Sequence, residues 1–165
     1  MSLTMEERNI TPSEAYPGDK TTTKAAEPEL LRVEITGDRY TSKEFKDQEW
    51  THMWRRVWMI AGMADDCAEP GDFFTCDLGH EPLLFVRGKD GVNGFYNICQ
   101  HRGAKLVLQE KGMMDSFSCI YHGWKYGLEG ELIEAQDRDD FERDPCEHVR
   151  LADFRTEIFA GFVWY

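Results

Sequence analysis

Two short segments, each combining one cysteine with one histidine, constrain this chain more than any other feature of its sequence. The first segment contains Cys99 and His101, and the second contains Cys119 and His122. Residues 102–118 separate the two segments. Thiolates and imidazoles are common metal ligands, so this pattern predicts one metal site and a fold that brings the two segments together.

Two kinds of metal site fit this ligand set. A structural zinc ion is satisfied by two thiolates and two imidazoles, although Cys-x-His followed by Cys-x-x-His differs from the usual Cys-x-x-Cys arrangement. A two-iron cluster with two cysteines on one iron and two histidines on the other requires each segment to reach both irons. Each segment here carries one ligand of each kind, which favours the cluster over zinc.

Downstream of residue 57, short apolar runs alternate with turn residues. Runs of this length and spacing are typical of a mainly β fold, an antiparallel sandwich or barrel. Lys89-Asp90-Gly91 is a hairpin signal between two of the runs. The predicted strands cover residues 57–61, 73–76, 83–87, 92–98, 117–120, 124–128 and 131–133, and residues 149–154 and 157–165 are predicted to form a closing hairpin.

The N-terminal part of the chain has a different character. Residues 1–37 are polar and rich in proline turns, which predicts a flexible arm. Thr41-Ser42-Lys43-Glu44 has the Ser/Thr-x-x-Glu pattern of a capping box, and apolar residues then recur at helical spacing. We therefore expect a helix over about 42–55.

These patterns divide the chain into three parts. After the arm, residues 38–58 are expected to hold a helix that packs on the β domain, and residues 59–165 are expected to form that domain. The last eight residues are almost entirely apolar and end at Tyr165. We expect either that the chain was cut there, before a further domain, or that Trp164 and Tyr165 are unusually buried.

Composition narrows the class of protein. The chain carries 31 acidic and 19 basic side chains, a formal net charge of −12, and so no nucleic-acid partner is expected. The charge permits docking to a basic protein surface, although a solvated acidic face is favoured. No leader and no apolar run of about 18 residues is visible, which predicts a cytoplasmic protein without membrane contact. The remaining cysteines are expected to be buried apolar residues or surface thiols, namely Cys67, Cys76 and Cys146.

The residues around both segments resemble a known family. Asn97-Ile98-Cys99-Gln100-His101-Arg102-Gly103-Ala104 and Tyr121-His122-Gly123-Trp124-Lys125-Tyr126 are similar to the cluster loops of Rieske [2Fe–2S] domains. With Trp54-Arg55-Arg56-Val57-Trp58 and Glu81-Pro82-Leu83, they resemble the N-terminal part of the large (α) subunits of Rieske non-haem iron aromatic-ring-hydroxylating oxygenases over about residues 39–165. The resemblance implies a Rieske-type antiparallel β-sandwich with a two-loop cluster-binding subdomain, preceded by one helix.

The same resemblance implies roles for the ligands. Cys99 and Cys119 would bind one iron, and His101 and His122 would bind the other through one ring nitrogen each.

Respiratory Rieske proteins brace their loops with a disulfide, but the matching positions here are Ala104 and Tyr121. Packing must therefore hold the loops. Fewer hydrogen bonds to sulfur predict a potential in the lower part of the Rieske range, which spans about −150 to +300 mV. Three further residues are expected to pack around the loops, namely Arg102, Lys105 and Trp124.

The function implied is one-electron transfer. In this family a reductase or ferredoxin supplies electrons, and the cluster delivers them to a mononuclear Fe(II) in a C-terminal catalytic domain of its own or a neighbouring subunit of a trimer. His122 is the hypothesised outlet. Aromatic hydrocarbon catabolism is the expected setting, and no catalytic residue is predicted in this chain. The remaining histidines lack paired ligand spacing, namely His52, His80 and His148.

Two alternatives stay open on the sequence alone. A free-standing Rieske ferredoxin-type carrier would use the same four ligands without a catalytic domain. A zinc-stapled binding module would use them without any redox role. Colour separates the second alternative from the others, because zinc alone gives no visible absorption.

Overall fold

A computed structural model describes residues 35–136 and 138–165. The predicted arm over residues 1–37 lies almost entirely outside the described residues. The chain divides into two compact units, and the boundary falls between Arg55 and Arg56. Within the described residues, no helix is both long enough and apolar enough to cross a membrane.

The first unit contains the predicted helix in three consecutive pieces. These are α1 (Asp38–Thr41), α2 (Lys43–Glu49) and a π-helical turn (Trp50–Trp54). The N-cap of α2 is Ser42, whose hydroxyl accepts a hydrogen bond from the backbone N–H of Phe45 at 3.2 Å. The cap therefore lies one residue later than the capping-box pattern indicated. Packing of this helix on the β domain stays a prediction.

Among its described residues, the second unit contains eleven short antiparallel strands in three sheets. Three 3-10 helices also occur in this unit, at Ala64–Cys67, Arg138–Asp140 and Pro145–Glu147. The strands are β1 (Ile60–Met63), β2 (Asp72–Leu78), β3 (Glu81–Arg87), β4 (Val92–Tyr96), β5 (Lys111–Met113), β6 (Phe117–Ser118), β7 (Lys125–Tyr126), β8 (Leu132–Glu134), β9 (Asp153–Phe154), β10 (Glu157–Phe159) and β11 (Phe162–Trp164).

Strand β3 lies at the centre of the five-stranded sheet, whose order is β5-β2-β3-β4-β9. Successive strand residues point to opposite faces. Leu84 and Val86 therefore join the core on the side of the candidate metal loops, whereas Leu83 and Phe85 join a second core with Val163 of β11. Both faces of β3 are covered, which explains why its four central residues are all apolar. This layered antiparallel arrangement confirms the predicted mainly β fold class.

The prediction that residues 149–154 and 157–165 form a closing hairpin is wrong. Strand β9 pairs with β4, and the 157–165 run forms its own hairpin from β10 and β11. The turn is Ala160-Gly161, where both residues have positive φ, +53° and +82°. Two consecutive positive φ values are what a two-residue hairpin loop of type I′ requires. Strand β11 then pairs with β1, which begins later than predicted.

Strand β5 was not predicted from the sequence. Its residues, Lys111–Met113, are all exposed, so they lack the apolar alternation that marks a half-buried strand. The predicted hairpin turn after β3 is confirmed, because Arg87 pairs with Val92 across residues 88–91. The third sheet, in the order β6-β7-β8, is small and carries the second metal loop between β6 and β7.

Candidate metal centre

The two cysteine–histidine loops share one pattern of backbone hydrogen bonds. In the first, the N–H of Gly103 donates to the carbonyl of Cys99 at 3.0 Å, and the N–H of Cys99 donates to the carbonyl of Ala104 at 2.8 Å. Gly103 has φ +72°, which favours glycine. An isolated bridge between Ile98 and Lys105 closes the base of this loop.

The second loop repeats these bonds at the same offsets. The N–H of Gly123 donates to the carbonyl of Cys119 at 2.9 Å, and the N–H of Cys119 donates to the carbonyl of Trp124 at 2.8 Å. Gly123 has φ +69°. Strands β6 and β7 pair through Phe117 and Tyr126 and hold the two ends of the loop together. The two loops therefore hold their cysteines in matching ways, whereas the histidine follows two residues after Cys99 and three residues after Cys119.

Both cysteines point into the core. Their exposed fractions are 2% for Cys99 and 3% for Cys119. Burial raises the pKa of the Cys99 thiol, while the hydroxyl of Tyr126 opposes that rise, and the nearby Cys119 thiol adds to it. Two adjacent buried thiols are costly as free thiolates, but they suit a cation that neutralises both of them.

Both histidines are more exposed than the cysteines. The rings of His101 and His122 have centroids 4.7 Å apart and planes at 74°. The Nδ1 atom of His101 is buried and has no hydrogen-bond partner among the described residues. Burial of the ring lowers the pKa of His101, and the neighbouring His122 lowers it further. A neutral imidazole with an unpartnered, inward-facing nitrogen is prepared to bind a metal.

Aromatic side chains pack around the histidines. The ring of His101 stacks on Trp124 with centroids 4.7 Å apart and planes 14° from parallel, and His122 contacts Tyr121 at 3.8 Å. The guanidinium of Arg102 lies 5.6 Å from the Tyr121 ring centroid. These contacts agree with the expectation that Arg102 and Trp124 pack around the loops. Packing around the loops was also expected for Lys105, but its side chain forms an exposed ion pair.

Sequence analysis missed two residues that shape the first loop. Tyr126 is fully buried, and its hydroxyl lies 3.4 Å from the Sγ of Cys99. Asn97 is also fully buried, and its side-chain amide donates to the carbonyl of Val107 and accepts from the N–H of Val107, both at 2.8 Å. Both residues lie next to the motif in sequence, which was the available signal, but their partners are set by the fold.

The residues present fit a two-iron cluster. Two buried thiols adjoin, and two imidazoles lie beside each other, one with a buried unpartnered nitrogen. Within the described residues, no three His, Cys, Asp or Glu side chains converge on a single ion position. A Rieske cluster takes only two protein ligands on each iron, so this finding is compatible with it.

The other histidines and cysteines lie elsewhere. His52 is in the π-helical turn, His80 is in the turn between β2 and β3, and Nδ1 of His148 contacts the carbonyl of Asp144 at 3.0 Å. The buried thiol of Cys67 donates to the carbonyl of Asp72 at 3.0 Å. The last two cysteines, Cys76 and Cys146, are half-buried and free.

Comparison with known proteins identifies the class. The model of the Rieske [2Fe–2S] domain family matches residues 57–151, which include both loops. The chain belongs to the Rieske [2Fe–2S] domain family, whose members carry a two-iron cluster. The predicted resemblance to the N-terminal part of Rieske oxygenase α subunits is also confirmed.

Relatives and solved structures narrow the family further. The chain is 36% identical over 126 residues to the glycine betaine monooxygenase oxygenase subunit of Pseudomonas aeruginosa, covering 76% of this chain and 29% of that protein. It is 36% identical over 131 residues to the benzene 1,2-dioxygenase subunit alpha of Pseudomonas putida, covering 74% and 29%. The apo structure of the quaternary ammonium Rieske monooxygenase CntA matches with a TM-score of 0.71 and 31% identity, covering 77% and 37%. The chain thus spans about a third of the length of these relatives.

Proposed function

We propose that this chain is the electron-transfer domain of a Rieske oxygenase α subunit. The observation that carries the proposal is the matched pair of loops, which bury Cys99 and Cys119 and place His101 beside His122. The cysteines would bind one iron as thiolates, and the histidines would bind the other iron as neutral imidazoles. When bound, a Rieske cluster takes up and releases one electron at a time.

The residues around the ligands serve that role. Burial of the cysteines excludes water from the sulfur side, and the Tyr126 hydroxyl offers that side a hydrogen bond. The histidines remain half-buried, so the outer edge of His122 can face a partner. We propose His122 as the outlet, donating a hydrogen bond to a carboxylate of a catalytic domain that holds a mononuclear Fe(II).

A reductase or ferredoxin would supply the electrons, and the catalytic domain would belong to the same subunit or to its neighbour in a trimer. The relatives support an oxygenase system, because they are named as oxygenase subunits and α subunits. The cytoplasm remains the proposed location.

The substrate class has two candidates. An aromatic compound follows from the motif resemblance and from the benzene dioxygenase relative. A quaternary ammonium compound is favoured by the similarity to glycine betaine monooxygenase and to CntA. Turnover assays of a longer chain that includes the catalytic domain, with benzene and glycine betaine in parallel, separate the two.

The decisive experiment is a pair of spectra. Purified protein should be red-brown, and the dithionite-reduced protein should give the EPR signal of a mixed-valence cluster with histidine ligands. Replacing Cys99 or Cys119 with Ala should remove both the colour and the bound iron, whereas Cys146→Ala should retain them. A colourless protein with bound zinc would instead support the binding-module alternative.

The length of the reading frame distinguishes an oxygenase subunit from a free-standing carrier. A reading frame that continues for a few hundred codons past Tyr165 supports the oxygenase. A stop codon directly after Tyr165 supports the carrier.

A further inference from the structure

Two rows of aromatic rings lead away from the candidate ligand histidines, and each ends in an exposed or partly exposed ring. One row is short and consists of His122 and the exposed Tyr121. The other row, called here the His101 row, consists of His101, Trp124 and Phe141. His101 stacks on Trp124 at 4.7 Å, and Trp124 meets Phe141 edge-on at 5.9 Å with planes at 62°.

The His101 row connects the interior with the surface. Trp124 is buried, with 4% of its surface exposed, whereas Phe141 is 39% exposed. Phe141 directly follows the short helix Arg138–Asp140 and lines an open groove with Ala135 and Asp144. Rings in contact shorten the distance that an electron must tunnel through space. The row is therefore a continuous path from a cluster ligand to a groove that a partner can reach.

The segment around Phe141 carries uncompensated negative charge. Its two arginines are already paired, Arg138 with Asp144 and Arg143 with Glu147. Three acidic residues of the same segment form no ion pair within the described part of the chain, namely Asp139, Asp140 and Glu142. A basic protein surface complements this charge, and such complementarity accelerates encounter.

We propose that the His101 row is the route by which an electron donor reduces the cluster. The donor is a one-electron carrier protein with a basic face, and Phe141 is its docking contact. One electron leaves the donor and reduces one ferric iron to ferrous, and no bond forms or breaks. This proposal rests on the proposed function, because it requires a cluster at His101. It separates the uptake side, at Phe141, from the outlet side, at His122.

The test uses the cluster-loaded protein and a basic probe. Ferricytochrome c is a basic one-electron acceptor, and the same docking contact carries an electron in either direction. The reduced protein is mixed with ferricytochrome c in a stopped-flow instrument. Phe141→Ala should lower the second-order rate about tenfold, as expected when one aromatic anchor of an interface is truncated. Phe159→Ala is the matched control, since Phe159 is 70% exposed on β10 and is not a member of the row.

Further variants distinguish the effect of the aromatic ring of Phe141 from that of its apolar bulk, and they test the negative charge of the surrounding segment. Phe141→Tyr keeps the ring and should keep the rate, whereas Phe141→Leu keeps an apolar side chain and should be as slow as Phe141→Ala. The double variant Asp139→Asn/Asp140→Asn should be slower than wild type at low salt and equal to it at high salt, because salt screens exposed charges. The midpoint potential and the EPR signal should be the same in all of these variants.

Equal rates of wild type and Phe141→Ala with ferricytochrome c would overturn the proposal. It would also be overturned if Phe141→Ala slowed the reaction with the small anion ferricyanide by the same factor, or if the EPR signal of Phe141→Ala shifted. In either of these two cases, Phe141 would act only by supporting the cluster loops. A wild-type protein without the Rieske EPR signal would instead contradict the proposed function, and this outcome is distinct from those above.

Discussion

The hydroxyl of Tyr126 lies 3.4 Å from the Sγ of Cys99 and accepts a hydrogen bond from the backbone N–H of Gln100 at 3.0 Å. Because Gln100 occupies the oxygen as an acceptor, the hydroxyl proton is free to point at the sulfur. Burial raises the pKa of Tyr126 well above its usual range, so the group keeps this proton at neutral pH.

Tyr126→Phe should therefore lower the midpoint potential of the bound cluster. A hydrogen bond to sulfur stabilises the more negative, reduced state, and its loss disfavours reduction. A bond worth about 1 kcal/mol corresponds to roughly 40 mV for a one-electron couple. The measurement is a potentiometric titration followed by EPR. Tyr165→Phe is the control, because that ring packs against Phe85 in the second core. An unchanged potential in Tyr126→Phe would contradict the prediction.

Asn97→Ala should destabilise the first loop. The substitution leaves the N–H and the carbonyl of Val107 buried without their partners, which costs about 3 kcal/mol. Denaturant unfolding of the cluster-loaded protein, together with the rate of iron loss to a chelator, measures the effect. Gln100→Ala is the control in the same loop, because the Gln100 side chain is exposed. Equal iron loss from Asn97→Ala and wild type would show that the hydrogen bonds between Asn97 and Val107 do not hold the first loop.

His122→Cys should keep a two-iron cluster but stop its electron from leaving. Cysteine can replace histidine as a ligand, yet it has no outer N–H for the hydrogen bond that we propose His122 donates to a catalytic domain. The spectrum should shift towards that of an all-cysteine cluster, and the added negative charge should lower the potential.

The readout for His122 is single-turnover product formation by a longer chain that includes the catalytic domain. His148→Cys is the matched control, since His148 lies outside the loops and binds the carbonyl of Asp144. Product formation by His122→Cys at the wild-type rate would show that electrons leave by another route.

Cys67 should make the protein less stable in alkaline solution. Burial raises the pKa of its thiol to about 11, above its ordinary value of 9.0. The folded state thus favours the protonated form, so the full stability is present below about pH 9 and is lost as the pH rises from about 9 to 11. The loss attributable to this thiol is roughly 2 kcal/mol over that window.

Cys67→Ala should flatten the dependence of unfolding free energy on pH between 9 and 11, as measured by denaturant titration at several pH values. Cys146→Ala controls for the loss of a thiol as such. If the unfolding free energy of Cys67→Ala depended on pH as steeply as that of wild type, the buried Cys67 thiol would not be the source of the alkaline loss of stability.

Much of the site could be predicted because its chemistry is local. The candidate ligands Cys99 and His101 are two residues apart, and Cys119 and His122 are three apart, so each pair lies on one tight turn whatever the rest of the chain does. Gly103 and Gly123 supply the left-handed backbone that those turns need. The apolar run of β3 likewise shows that both of its faces are covered.

Other features depended on contacts that sequence spacing does not report. The run over 157–165 could pair with residues 149–154 or with itself, and positive φ at Ala160 and Gly161 selects the second pairing. The exposed strand Lys111–Met113 pairs with β2 through backbone hydrogen bonds, which leave no apolar pattern in the sequence.

The sequence by itself determined the candidate ligand set and the family, because both are encoded in short segments whose backbone closes locally. Only the tertiary structure decided what surrounds the ligands. Tyr126 reaches Cys99 across 27 positions, and Phe141 reaches Trp124 although the two lie in different loops. Such contacts arise from the packing of whole sheets and loops, since burial and ring stacking bring together residues that no local rule connects.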